Sequence, residues 1–170
     1  MKTLWAPWRM EHVLGKHHPK LTCIFKPPGT ACHNKKHLLL YRDQFIVVLL
    51  NRFPYANGHL LIAPKRHVAD LSLLGYSEQA ALMWATTQCC QALRNTLRPD
   101  GLNIGLNLGE TAGAGIADHL HYHIVPRWKN DHNFMTICSE IRTIPQHIEA
   151  TFDHLQPEMQ HLFSTTPYSP

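Results

Sequence analysis

Three histidines at every second position, His119, His121 and His123, stand inside Asp118-His119-Leu120-His121-Tyr122-His123-Ile124-Val125-Pro126-Arg127-Trp128. This alternation constrains the chain more than any other feature. In a β-strand the side-chain period is two, so the three imidazoles share one face. Leu120, Tyr122 and Ile124 then share the other face and can pack into a core. A helix would rotate successive histidines by about 200° and scatter them. Pro126 stands where a ladder can end. Two chemistries suit such a face. Three imidazoles can ligate a zinc-type ion with an open position. Alternatively, one attacks as a nucleophile while its neighbours orient it and handle protons. The chain has 14 histidines, so chance clustering is the plain alternative. The uniformly apolar or aromatic residues between the three argue against chance.

The length of 170 residues, 44% of them hydrophobic, fits one domain with its own core. The net charge of +4 suits an anionic small ligand and equally a weak, nonspecific attraction to nucleic acid. The five cysteines, Cys23, Cys32, Cys89, Cys90 and Cys138, are odd in number, in a chain too large to need a disulfide framework. Residues 1–10 hold no signal-like apolar run, and no run reaches the roughly 18 residues of a membrane span. A reducing cytoplasm is the simplest expectation, with neither a membrane nor a specific nucleic acid as partner.

The fold class expected is α+β, an antiparallel sheet of five strands with two helices. Residues 1–36 read as an irregular wrap, interrupted by Pro7, Pro19, Pro27 and Pro28. Strands are expected at 37–42, at 45–50 after an Asp43-Gln44 turn, at 59–63 before Pro64, at 102–108, and at the histidine stretch. A helix with Ser77 as N-cap runs to about Leu97, with Leu82, Thr86, Cys89, Leu93 and Leu97 as its buried stripe and Met83 and Cys90 beside it. A second helix begins near Pro145, buries Ile148, Phe152 and Leu155, and has Pro157 beyond its end. Residues 164–170 read as a disordered tail. Residues 109–115 hold three glycines and two alanines. Placed just before the histidines, they suit a phosphate cradle in which backbone N–H groups approach closely, with Gly113 and Gly115 tightest.

The run from His119 to Val125 matches the His-φ-His-φ-His-φ-φ pattern of the histidine triad family. The block 51–67 resembles that family's upstream motif, and 101–115 its loop before the triad. Pro126-Arg127-Trp128 with 131–135 resembles the branch that contains bacterial diadenosine tetraphosphate phosphorylases and related hydrolases. The resemblance spans about residues 37–135, with 136–170 as a C-terminal helix and tail. It implies a homodimer whose sheets join. It also implies nucleotide binding and attack on the α-phosphorus of a nucleoside phosphate, with His121 as nucleophile. Water or phosphate then releases the nucleotidyl-histidine.

The same reading assigns supporting roles. A neutral imidazole escapes the charge repulsion that an anionic nucleophile meets at a phosphoanhydride. His123 donates to a phosphate oxygen or to the leaving oxygen, His119 fixes local geometry, and His59 supports through the Gly58-His59 match. Asn51 is a candidate for the ribose and Asn107 for sugar or phosphate. Arg127 is a candidate for compensating phosphate charge. Many relatives carry Cys-x-x-Cys near the N-terminus and bind zinc there together with histidines matching His67 and His119. Here the run is Cys23-Ile24-Phe25-Lys26, and an ammonium is no ligand. Cys32 and His33 lie close in sequence with the wrong spacing. No metal site is therefore expected, and the one cofactor that fits is a divalent ion bound with the substrate. Two other functions compete: a nucleotide-binding module with little catalysis, and a zinc-dependent hydrolase using the histidine row as ligands.

Overall fold

The computed structural model describes residues 23–129, 131 and 146–165. Five strands, β1 (Leu39–Arg42), β2 (Ile46–Leu50), β3 (Leu60–Pro64), β4 (Gly101–Leu106) and β5 (Tyr122–Arg127), form one sheet in the order β1-β2-β3-β5-β4. Every neighbouring pair is antiparallel. Helices α1 (Tyr76–Leu97) and α2 (Ile148–Leu162) complete the α+β architecture expected from the sequence.

The apolar strands divide into two faces. Leu40, Ile46, Val48, Leu50, Leu60, Ile62 and Ile124 pack with Ala81, Ala85, Cys89 and Leu93 of α1 and with Phe152, Leu155 and Met159 of α2. Leu39, Val47, Leu49, Leu61 and Ala63 point the other way and pack with Cys23 and Phe25 of the N-terminal segment. Burial on both faces is why β2 and β3 read as continuous apolar runs and not as alternations. The registers Leu39↔Leu49, Leu49↔Leu61, Leu61↔His123 and Gly105↔His123 set one row across all five strands on the second face. His123 therefore extends an apolar floor.

Several boundaries differ from expectation for definite reasons. His37 lies in a 3-10 turn, and β1 starts at Leu39. Pro64 is the last residue of β3, opposite Ile46, a strand-end position that spares an N–H. Helix α1 has Gly75 as N-cap, and Ser77 lies inside it. The first turn is closed by Glu78, whose Oε2 accepts from the Gly75 N–H at 2.9 Å. Met83 is 62% exposed, so it is off the buried stripe. Helix α2 continues through Pro157 to Leu162. Pro157 is on the solvent side, and the carbonyl it cannot serve belongs to exposed Asp153, which water can reach. The expectations for 1–22, 132–145 and 166–170 lie outside the described residues.

The largest correction concerns the histidines. Strand β5 begins at Tyr122, because both its neighbours' ladders end there, at Ile62 and Leu106. Ahead of it the chain turns inward. The Leu120 N–H donates to Val68 O at 2.7 Å. His119 is fully buried and His121 is 5% exposed. The alternation still puts the rings next to one another, but beneath the Cys23–Phe25 segment and not on an open face.

Candidate active site

Three histidines are each held by a partner that can act in one direction only, and the third of them sets the direction for a fourth. A carbonyl only accepts, so the 2.8 Å contact between His121 Nδ1 and His119 O puts the proton on Nδ1 and leaves Nε2 with a lone pair. His119 Nε2 donates to Pro64 O at 2.8 Å by the same logic. A backbone amide only donates. The Tyr55 N–H meets His59 Nδ1 at 3.1 Å, so His59 carries its proton on Nε2. That proton points at His123 Nδ1, 2.9 Å away. His123 accepts there and presents Nε2–H on its other side. The result is a lone pair on His121 beside an N–H donor on His123, with ring centroids 4.9 Å apart.

Burial favours the neutral form of His59, His119 and His123. It pushes His59 down to about 3, with the charges of His123 and His121 adding to the effect. It pushes His123 down to about 4, and His121 lowers it further. His119 is also lowered, chiefly by burial. Phe25 packs on His119 and His121 at 4.9 and 5.1 Å, and Tyr55 covers His59 and His123.

The other residues singled out in the sequence fall in three groups. Asn51 reaches His59: its Nδ2 is 3.2 Å from Nδ1 of that ring, while its Oδ1 accepts from the Phe53 N–H at 3.0 Å. Its amide thus braces the turn that carries His59. Asn107 follows β4 just beyond Leu106, the partner of Tyr122, and its Nδ2 donates to Gly113 O at 3.3 Å. Gly113 has φ +87°, a conformation that favours glycine, and a Cβ on Gly115 would meet only open space. Arg127 is not with the histidines. It lies four residues beyond His123, about 13 Å along the strand, and its guanidinium binds Asp131 and Asn103. Tyr55 and Phe25 went unassigned in the sequence. The only signal was an exposed-type aromatic in a Pro/Asn/Gly loop and an aromatic beside Cys23.

The HIT domain matches residues 33–130. The chain belongs to the histidine triad family, and the loops and strands described here are that family's fold. Among its relatives, the AP-4-A phosphorylase of Mycobacterium tuberculosis is 37% identical over 157 residues, which is 89% of this chain and 80% of that protein. A Zn-bound histidine triad family protein from Mycobacterium smegmatis superposes with a TM-score of 0.61 at 29% identity, covering 75% of this chain and 86% of that one. Diadenosine triphosphate hydrolase of Plasmodium falciparum shares the fold, with a TM-score of 0.58 at 18% identity over 75% of this chain and 77% of that one.

Zinc is implied for this family, and the residues fit it with three donors. Cys23 Sγ and ring nitrogens of His67 and His119 lie within 4.8 Å of one another. His119 turns Nδ1 to Cys23 at 3.1 Å while Pro64 O holds its Nε2, and Asp118 braces His67 at 3.3 Å. Such outer partners orient metal ligands. Lys26 is exposed and supplies no fourth donor. Cys23, His67 and His119 converge although the second cysteine is missing. Among the described residues, His119, His121 and His123 do not gather as one ligand set. The two ring nitrogens of His119 face Cys23 and Pro64 O and not the other two rings.

Proposed function

We propose that this protein is a nucleotide-processing enzyme that attacks the α-phosphorus of dinucleoside polyphosphates through His121. The observation that carries the proposal is the fixed tautomer of His121, with Nδ1–H on a backbone carbonyl and Nε2 open beside the N–H of His123. Attack by Nε2 forms a P–N bond as the bond from phosphorus to the leaving oxygen breaks. The leaving group departs as an anion, and Nε2–H of His123 hydrogen-bonds the oxygen on which charge develops. The imidazolium charge left on His121 is shared with the His119 carbonyl. Water or phosphate then attacks phosphorus, the P–N bond breaks, and neutral His121 is restored. His119 and His59 position the two reacting rings. Asn107, Gly113 and Gly115 line the phosphate side.

Resemblance to the mycobacterial AP-4-A phosphorylase favours phosphate as the acceptor. The test is turnover of diadenosine tetraphosphate with and without inorganic phosphate. ADP plus ATP is the phosphorylase outcome, and AMP plus ATP is the hydrolase outcome. His121→Ala should lose activity by at least about 10³-fold while keeping the fold, as expected for a lost nucleophile; full activity in that variant would sink the assignment. Zinc at Cys23, His67 and His119 would supply a structural clamp between the N-terminal segment and the histidine stretch.

The same proposal includes a cytoplasmic setting and a homodimer joined along β4. That strand is an edge of the sheet, and Ile104 within it and Leu108 just beyond it are 49% and 40% exposed. A mass of about twice the 19.5 kDa chain in solution is the expected result.

A further inference from the structure

We propose that Tyr55 is a positioning residue for the His59–His123 pair, holding the two rings in register from the solvent side. This rests on the roles given above to His121 and His123. Two independent contacts carry it. The Tyr55 backbone N–H donates to His59 Nδ1 at 3.1 Å, which fixes the proton of His59 on the nitrogen that faces His123. The Tyr55 ring then lies over the same pair. Its centroid is 4.7 Å from that of His59 and 5.9 Å from that of His123, nearly parallel to the latter at 16°.

One residue therefore sets both the tautomer of His59 and the outer wall of the pair. Exposure shows which side the wall is on. Tyr55 is 48% exposed, whereas His59 beneath it is 0% exposed. The exposed tyrosine ring thus stands between the buried His59 ring and solvent. Tyr55 also sits in a short loop that is anchored at both ends. Asn51 N–H donates to His59 O at 2.8 Å, and His59 N–H donates to Ala56 O at 3.2 Å. The ring is thus carried on a rigid bracket and not on a free loop tip.

A chemical consequence follows. Burial is the first cause of the low proton affinity of both His59 and His123. The charges that bear on the pair are those of His121 on both rings and of His123 on His59. Taking the aromatic wall away admits water, eases protonation of His123 Nδ1, and breaks its bond from His59. His123 then no longer presents Nε2–H in a fixed direction. Phenylalanine keeps the wall and the backbone donor.

The experiment compares the full-length protein with Tyr55→Phe, Tyr55→Leu and Tyr55→Ala. Two readouts are used: nitrogen NMR titration of the histidine rings without substrate, and kcat and KM for diadenosine tetraphosphate across pH. In Tyr55→Ala, the His123 titration and the acid limb of kcat should both move up by about one pH unit or more. At neutral pH, where His123 stays neutral even after such a shift, the lost alignment of its Nε2–H should lower kcat about tenfold, part of the 10²–10⁴-fold that a placed acid–base group contributes, with KM within about twofold. Tyr55→Phe should restore both, and Tyr55→Leu should lie between. Unchanged titration in Tyr55→Ala would overturn the proposal, as would a rise in KM with kcat and the acid limb held. If the unaltered protein turned over no dinucleoside polyphosphate, the functional reading would fall. The titration without substrate would still decide the role of Tyr55.

Discussion

His59 shows how a backbone can choose the chemistry of a side chain. The Tyr55 amide orients it, with no carboxylate bonded to it among the described residues, and the choice passes through Nε2–H to His123. His59→Phe would keep much of the volume and remove that donor. The expected outcome is a fall in kcat of about 10- to 100-fold with a small change in KM, read by steady-state kinetics. Protonation also links the pair to stability. Both folded pKa values lie below the roughly 6.5 of an unfolded histidine, at about 3 and about 4. Below pH 6.5 the unfolded chain therefore binds protons that the native state does not. Stability is full above about pH 6.5 and is lost as pH falls toward 4. Urea midpoints at pH 7 and pH 5 should differ, and His59→Phe should flatten the difference. At this scale the sequence disclosed identities better than contacts. Alternation put His121 and His123 side by side, but spacing alone does not say whether an amide is free. Asn51, assigned to ribose, spends its side chain on Phe53 and His59. Arg127, assigned to phosphate, is engaged with Asp131 and Asn103.

At the scale of elements, the five strands and two helices were legible because apolar runs and turn residues are local signals. Their ends were less so, because ends are set by neighbours. Strand β5 begins where its two ladders begin, and nothing near His119 in the sequence encodes that. Pro157 reads as a stop until the burial of Met159 and Phe163 beyond it is seen to outweigh one missing hydrogen bond. Pro157→Ala should therefore stabilise the protein, by about 1–2 kcal/mol of the roughly 3 kcal/mol that separates these residues in a helix interior. Thermal unfolding checks it. Gly58, at φ +75°, marks the opposite case. A Cβ there would strain the backbone and press on the Leu97 side chain, which is only partly buried and can swing aside. Gly58→Ala should cost about 1–3 kcal/mol and lower activity through the adjacent His59.

For the whole molecule, the informative feature is convergence. Cys23, His67 and His119 come from three distant segments to within 4.8 Å. In the sequence, the loss of a second cysteine at Lys26 argued against any site, since local spacing shows a cysteine pair but cannot show a trio assembled by the fold. Lys26→Cys should complete a four-ligand set and raise zinc affinity by at least about 100-fold, measured by competition with a chelator. Cys23→Ser should abolish zinc binding in both backgrounds. None of the described helices is long and apolar enough to cross a membrane.

The row that runs from Leu39 through Leu49, Leu61 and His123 to Gly105 has a kinetic consequence. His59 and His123 are 64 residues apart in sequence, and their contact exists only once β5 has entered between β3 and β4. Closing so long a loop is slow compared with forming α1, whose bonds are local. During refolding, circular dichroism from the helices should recover first and enzymatic activity later. Activity thereby becomes a clock for the insertion of β5 between β3 and β4.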